Sequence, residues 1–508
     1  MNALATAQAP WCPDCTGFGT ALEAQLAAAQ AKVAMQEQQL TELRRALAAA
    51  QEIAFKPRES FRVPPLEDVP RSGDDTQSGP RPRGQQRGAP GHGRRLHPSL
   101  ATEDVILQPD PADLRCPDCG APLIRVAGDN DAEVLDFQLS VRRTRYHRPR
   151  YVRTCKCRRT PAVVAAAPPS RPISRGNLSA AFLANLLVLK FALAMPIERI
   201  LLLLSFQGLN LSPGSITGMF ERITDYLKPL HAAYLAHHLE ANAWHVDETR
   251  WKAWTKEWDS PAGWLWVAVS PQVTVFVIDP HRSIAAVRRL FPQGANTRGL
   301  VQSDMYGVYT QNTFAPDRFT LLKCWAHVRR HILRAARTDP RLAIWSQNWI
   351  ERIRQMYRLV RARNRSADDP SRQAALEAHL SKMFRTLSWQ LRQPASEPKR
   401  KVLDMMAWYW QELVAFAHHP SAVPDNNAAE RALRRPALGR KNYQGSRAAW
   451  AADLAAAMFS ISETMKMWQI DPVDYLTRYL EACAVAGGKA PSDLTPFLPW
   501  RAPRGPSP

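Results

Sequence analysis

Long apolar runs are what this sequence has least of, and their scarcity argues against a chain embedded in a bilayer. The most apolar stretch, Leu178 to Met195, carries Asn185 and Lys190 and stops at Pro196, so it reads as a buried helix rather than a membrane span. Met1 to Pro10 lacks a charged start followed by an apolar run, and no signal peptide is read there. Cysteine is scarce too. Eight in 508 residues do not make a disulfide framework, and their close pairing points to metal binding in a reducing cytoplasm. Acids are outnumbered, 46 against 67 Lys and Arg, and the net charge of +21 suits a polyanion, whether nucleic acid or an anionic membrane. The length calls for about three domains.

What is present begins with a heptad pattern. Leu22, Leu26, Ala29, Val33, Leu40, Leu43, Leu47 and Ala50 alternate in steps of four and three, broken only by Gln36, which predicts a coiled-coil helix within residues 1–55. Self-association as a homodimer or higher oligomer follows. The alternative is one amphipathic helix folded back on the chain. Residues 56–108 read as a flexible basic linker, since Arg71 to Arg95 holds Pro80, Pro82 and Pro90 among Gly, Arg and Gln. Residues 109–170 read as a zinc-binding module that contacts DNA. Cys116 and Cys119 form one knuckle, Cys155 and Cys157 a tighter second pair, and four thiolates satisfy one structural Zn²⁺. Cys12 and Cys15 repeat the first knuckle without an obvious partner pair.

Between Phe137 and Arg175 stand eleven Lys or Arg and no acid. Arg142, Arg143, Arg145, Arg148, Arg150 and Arg153 are therefore candidate phosphate contacts, against the plainer reading of a solvated basic face. Residues 171–240 are expected to be a helical DNA-binding region. Leu178 to Phe206 and Ser212 to Leu227 read as two helices, with Ser212 as N-cap and Pro213 at the first helical position. A helix-turn-helix is one reading of this pair, and plain helical packing is the commoner one.

Three stretches carry the chemistry. Trp244 and Val246 alternate with His245 and Asp247, as in a strand that ends at Asp247 with its carboxylate on the face opposite the apolar pair. Gly299 to Ser303 is a second apolar run ending on Asp304, and Pro424 to Asn427 reads as a helix start that puts Glu430 in the first turn. A lone acid at a strand end is usually a solvated turn residue, and Glu430 with Arg434 at i+4 is equally an ordinary surface pair. Three acids on three elements change that balance. Two or three carboxylates with open positions suit hard cations such as Mg²⁺, and two such ions about 3.5–4 Å apart promote in-line displacement at phosphorus. Between Asp247 and Asp304 the pattern predicts strands at Trp264 to Val269 and Val273 to Ile278 and a helix at Ser283 to Leu290. Beyond Asp304 it predicts a strand near Phe319 to Cys324 and a helix from Ala326 to Ala336. The fold class expected is α/β, with a mixed sheet in residues 241–338, a helical insertion in 339–423, a return in 424–482 and a flexible tail in 483–508.

His245-Val246-Asp247-Glu248-Thr249, Ser303-Asp304-Met305-Tyr306, Cys324 to Arg330, Asn426 to Arg434 and Gly439 to Tyr443 together resemble the transposases of the insertion-sequence 66 family. That resemblance covers nearly the whole chain and implies a DNA transposase with a ribonuclease-H-like mixed-sheet catalytic core. Asp247, Asp304 and Glu430, spaced by 57 and 126 residues, would hold two Mg²⁺ or Mn²⁺ ions. Cleavage at the ends of the element and joining of the 3′-hydroxyl to target DNA would follow. It implies as partners double-stranded DNA, meaning terminal inverted repeats and target, and companion proteins of the same element, with the chain on DNA in a bacterial cytoplasm. The tight Cys155–Cys157 pair departs from the family's wider spacing. Arg329, Arg330, Arg431, Arg435, Arg440 and Lys441 are expected to contact DNA backbone around the acids, with His245 and His327 as packing or supporting groups. A competing function is a non-catalytic coiled-coil and zinc DNA-binding protein whose acids are structural.

Overall fold

The structure is a computed structural model that describes residues 140–152, 163–173, 176–254, 262–365 and 369–501, with residues 110, 114, 117–123 and 154. The coiled coil expected in residues 1–55, the linker expected in 56–108, Cys116, Cys155, Cys157 and Arg153 lie outside the described residues. The chain divides into two compact units, Met1–Asn130 and Asp131–Pro508, and every element below belongs to the second.

That unit opens with a small antiparallel ribbon of β1 (Arg150–Val152) and β2 (Val163–Ala165). Helices α1 (Ala180–Leu187), α2 (Ile197–Phe206) and α3 (Pro213–His238) follow. The expected single helix from Leu178 to Phe206 is thus two. A π-helical turn at Val188–Ala192 ends in Ala194 at φ 57°, and Pro196, which has no N–H to offer, forces the restart. Ser212 caps α3 as expected, its side chain accepting from the Ser215 N–H, but the helix continues past Leu227 and through Pro229 to His238.

The main sheet has six strands: β3 (Ala243–Ala253), β4 (Ala262–Val269), β5 (Thr274–Asp279), β6 (Gly299–Ser303), β7 (Phe319–Lys323) and the two-residue β8 (Gly445–Ser446). Its order is β5-β4-β3-β6-β7, with β8 beside β3. The first three strands are antiparallel neighbours, whereas β6, β7 and β8 run parallel to their partners. The crossover from β5 to β6 contains α4 (Ile284–Leu290), as short parallel connections require. β3 does not end at Asp247. It continues to Ala253 because Glu248 to Lys252 pair with Ala262 to Trp266 of β4. At the far end of β3, Gly445 at φ 138° lets β8 approach so closely that a Cβ there would overlap the Lys252 carbonyl.

α5 (Trp325–Thr338) leaves β7 and leads into α6 (Ala343–Arg365), α7 (Pro370–Leu391), α8 (Glu397–Trp408) and α9 (Trp410–Val414). These helices share a hydrophobic cluster of their own, centred on Trp325, Trp349, Met383, Leu403 and Trp410. The chain then returns through α10 (Asn427–Ala432) and α11 (Arg434–Tyr443) to α12 (Ala449–Met467), which packs on β5 and α3, and α13 (Pro472–Val485), which packs on α1. The expected flexible tail is also corrected. α13 extends into it, and Leu494, Phe497, Leu498 and Trp500 pack on the main core, with Trp500 stacked on His237 at 4.1 Å between centroids. No helix among the described residues is long and apolar enough to cross a membrane.

Candidate active site

Strand alternation puts Trp244, Val246 and Glu248 on one buried face of β3 and Asp247 on the other, opposite Val267 of β4. β6 lies parallel to β3 at a constant offset of 57 residues, 243 with 300, 244 with 301 and 245 with 302. The same offset carries Asp304, one residue past β6, to the level of Asp247. One oxygen of each is fixed by a backbone N–H: Asp247 Oδ1 accepts from Glu248 N at 2.8 Å, and Asp304 Oδ1 from Tyr306 N at 2.9 Å.

The third acid arrives on α10, and Asn426 secures it. This residue stands at the helix start that the sequence predicts, yet its side chain makes no cap. Buried completely, its Nδ2 donates to Val246 O at 2.7 Å, while its backbone N–H donates to Cys324 Sγ at 3.1 Å. His245 Nδ1 lies 3.3 Å from Asn426 Oδ1. The return of the chain is pinned as well by Trp325 N donating to Pro424 O at 2.9 Å. Glu430 follows one turn after Asn426.

Among the described residues, the side-chain charges that shift Asp247 are all negative. Burial pushes its carboxyl well above the usual carboxylate range, and Glu248, Asp304 and Glu430 add to the rise. Glu248, its chain neighbour, is buried too, but Arg282 Nε donates to it at 3.0 Å and the Tyr309 hydroxyl donates to its other oxygen. Behind them the ammonium of Lys323, buried in β7, donates to Tyr309 O at 2.7 Å and Ser303 Oγ at 3.1 Å, and burial lowers its pKa to about 8. Glu248 is therefore compensated and Asp247 is not. The carboxylate oxygens of Asp247, Asp304 and Glu430 are the donor type that a hard divalent cation takes. Among the described residues the group whose ligating atoms lie within 4.8 Å of one another is Cys324, His327 and Glu430, a closeness the three acids do not reach, but burial pushes the Cys324 thiol up to about 11, which disfavours the thiolate that metal binding needs.

Glu430 pairs with Arg330 rather than forming the i+4 surface pair with Arg434: Arg330 Nη2 donates to Glu430 Oε1, and His327 Nδ1 lies 3.7 Å from the same oxygen. Of the expected DNA contacts, Arg142, Arg143, Arg145, Arg148 and Arg150 are exposed, as are Arg329, Arg431 and Lys441. Arg148 also donates to Ala166 O at 2.7 Å across the ribbon. Arg440 Nη1 donates to Thr249 Oγ1 at 2.9 Å and to Arg250 O, bracing α11 against β3. Arg435 faces Glu463 at 3.7 Å. Glu248, Arg282, Tyr309 and Lys323 were not singled out as site residues from the sequence. Only Glu248 offered a signal, as an acid at a buried position of the strand period.

Residues 175–454 match a family model for transposases, which sets the class of protein. That span is more than half of the chain, and the chain belongs to the IS66 family of transposases. It is also similar to three uncharacterized proteins of Sinorhizobium fredii. Protein y4jD is 27% identical over 457 residues, covering 84% of this chain and 85% of its own. Protein y4qI is 25% identical over 466 residues, covering 84% and 79%, and y4hP is 24% identical over 435 residues, covering 79% and 75%. As a member of a transposase family the chain is a DNA-binding, DNA-processing protein.

Proposed function

We propose that this transposase cleaves phosphodiester bonds at the ends of an insertion element and joins the freed 3′-hydroxyl to target DNA, using divalent cations held by Asp247, Asp304 and Glu430. The observation that supports the reading is that Asp304, at the end of β6, and Glu430, on α10, both act electrostatically on Asp247 of β3. The sheet order, three antiparallel strands followed by two parallel ones, supports a ribonuclease-H-like core in which ligands gather where β3 and β6 present these carboxylates.

Bound Mg²⁺ or Mn²⁺ would activate the attacking oxygen and stabilise the leaving one. The chain's own residues prepare for this. The N–H groups of Glu248 and Tyr306 orient Asp247 and Asp304, Asn426 holds α10 against β3, and Arg282 with Tyr309 keeps Glu248 from joining the donor set. The exposed arginines of the ribbon and of α5 suit the DNA backbone. One structural zinc in the cysteine module, oligomerisation through the coiled coil and companion proteins complete the reading.

Purified full-length protein with Mg²⁺ and a labelled element end should give strand-transfer products, and Asp247→Ala, Asp304→Ala and Glu430→Ala should each abolish them. Unchanged transposition in cells by any one of these variants would sink the enzyme reading in favour of a purely DNA-binding protein.

A further inference from the structure

Arg330 sits on α5 one turn beyond His327, and its guanidinium is shared. Nη2 donates to Glu430 Oε1, and Nη1 lies 2.9 Å from His327 Nε2. A monovalent cation built into the chain thus already occupies the carboxylate that the reading above assigns to a metal. The Arg330 side chain is 48% exposed against 26% for Glu430, so an anion in solvent reaches the guanidinium directly.

We propose that Arg330 is a latch coupling DNA binding to metal binding: in the free chain it neutralises Glu430, and a DNA backbone phosphate draws the guanidinium away and releases the carboxylate. The proposal rests on the triad being a metal site. Its physical ground is that a phosphodiester offers a guanidinium the same paired-oxygen geometry as a carboxylate, so one partner replaces the other at little cost. A partly exposed ion pair is weak enough for the rest of a DNA interface to tip that exchange. Thermodynamic linkage makes the effect reciprocal, so DNA raises metal affinity by the factor that metal raises DNA affinity. Such a device would keep the free protein from assembling a cleavage-competent centre away from DNA.

The first test is a double-mutant cycle on DNA affinity, measured by fluorescence anisotropy with a labelled duplex, the full chain and EDTA present. Glu430→Gln should tighten binding about two- to fivefold by freeing Arg330, and this gain should vanish when Arg330→Ala is already present. No gain, or a gain that survives Arg330→Ala, overturns the latch. The second test measures Mn²⁺ uptake by the DNA-free chain from the electron paramagnetic resonance of free Mn²⁺. Arg330→Ala should raise affinity about two- to fivefold, while Arg334→Ala, one turn along the same helix, should leave it unchanged. Equal effects of the two substitutions, or no uptake by Arg330→Ala, overturn the latch as well. Equal uptake by Asp247→Asn and the unaltered protein would instead bring down the metal reading beneath it.

Discussion

Asp247 in the sheet and Arg363 in the helical insertion are both buried ionisable groups, and the difference between their surroundings separates a site from a scaffold. Arg363 is 3% exposed, and its guanidinium donates to the carbonyls of Phe416 and Ala417 and to Asn364 Oδ1, closing the end of its helix bundle. Asp247 is ringed by other acids. A fold gains nothing from crowding carboxylates, so the crowding suits the cation site proposed above, whereas the arginine is held through Nη1 and Nε by carbonyl oxygens, with Nη2 alone left without a partner among the described residues.

The sharpest way to break this comparison is to remove the charge at each place. Asp247→Asn keeps the shape of the side chain, and strand transfer should fall about 10³-fold or more, the scale of losing a metal ligand that acts in the transition state. A strand-transfer assay on purified protein checks it. In the insertion the largest effect should come from packing. Trp349 is fully buried and donates from Nε1 to Gln390 Oε1 at 3.1 Å, so Trp349→Ala should cost about 3–5 kcal/mol in a denaturant titration.

Two smaller effects concern pH. His238, fully buried with Nε2 2.6 Å from Leu290 O, has its pKa lowered from 6.5 to about 4 by burial. The folded chain therefore binds fewer protons than the unfolded one between these values, and stability should be lost as pH falls from 6.5 towards 4, by about 3 kcal/mol for this group. Thermal melts across that range should show the loss, and His238→Gln should flatten it. Asp247 has the opposite sign. Its raised carboxyl makes the folded chain hold more protons above the normal carboxylate range, so ionisation weakens the fold as pH rises. Asp247→Asn should stabilise the metal-free protein at neutral pH by about 1 kcal/mol while destroying activity. A lower melting temperature for that variant would show that the site carries no stored repulsion.

Much of the fold was legible because local pattern and final burial agree. Trp244 and Val246 mark the strand period, Ser212 with Pro213 marks a helix start, and the apolar runs ending near Val269, Ile278 and Ser303 are the strands observed. Legibility failed where a residue's type and its surroundings conflict. Lys323 and Glu248 hold buried strand positions that sequence pattern assigns to apolar side chains, and they are tolerated only through Tyr309, Ser303 and Arg282, partners from other segments. The segment from Pro491 to Trp500 was hidden by its prolines, which suggest a loose tail, although its four large apolar residues find the main core. In the site, the 57-residue spacing was visible but its meaning was not: it is the register between two parallel strands.

The amino-acid order alone determined most of the strands and helices, the elements that carry the three acids and the family motifs, because these depend on neighbours a few residues away. Only the tertiary structure decided that Asp247 is crowded by other acids, that Arg330 holds Glu430 and that Asn426 serves as a clasp rather than a cap. Charge state and pairing depend on distances through space and on exclusion of water, and the groups involved come from segments tens to more than a hundred residues apart.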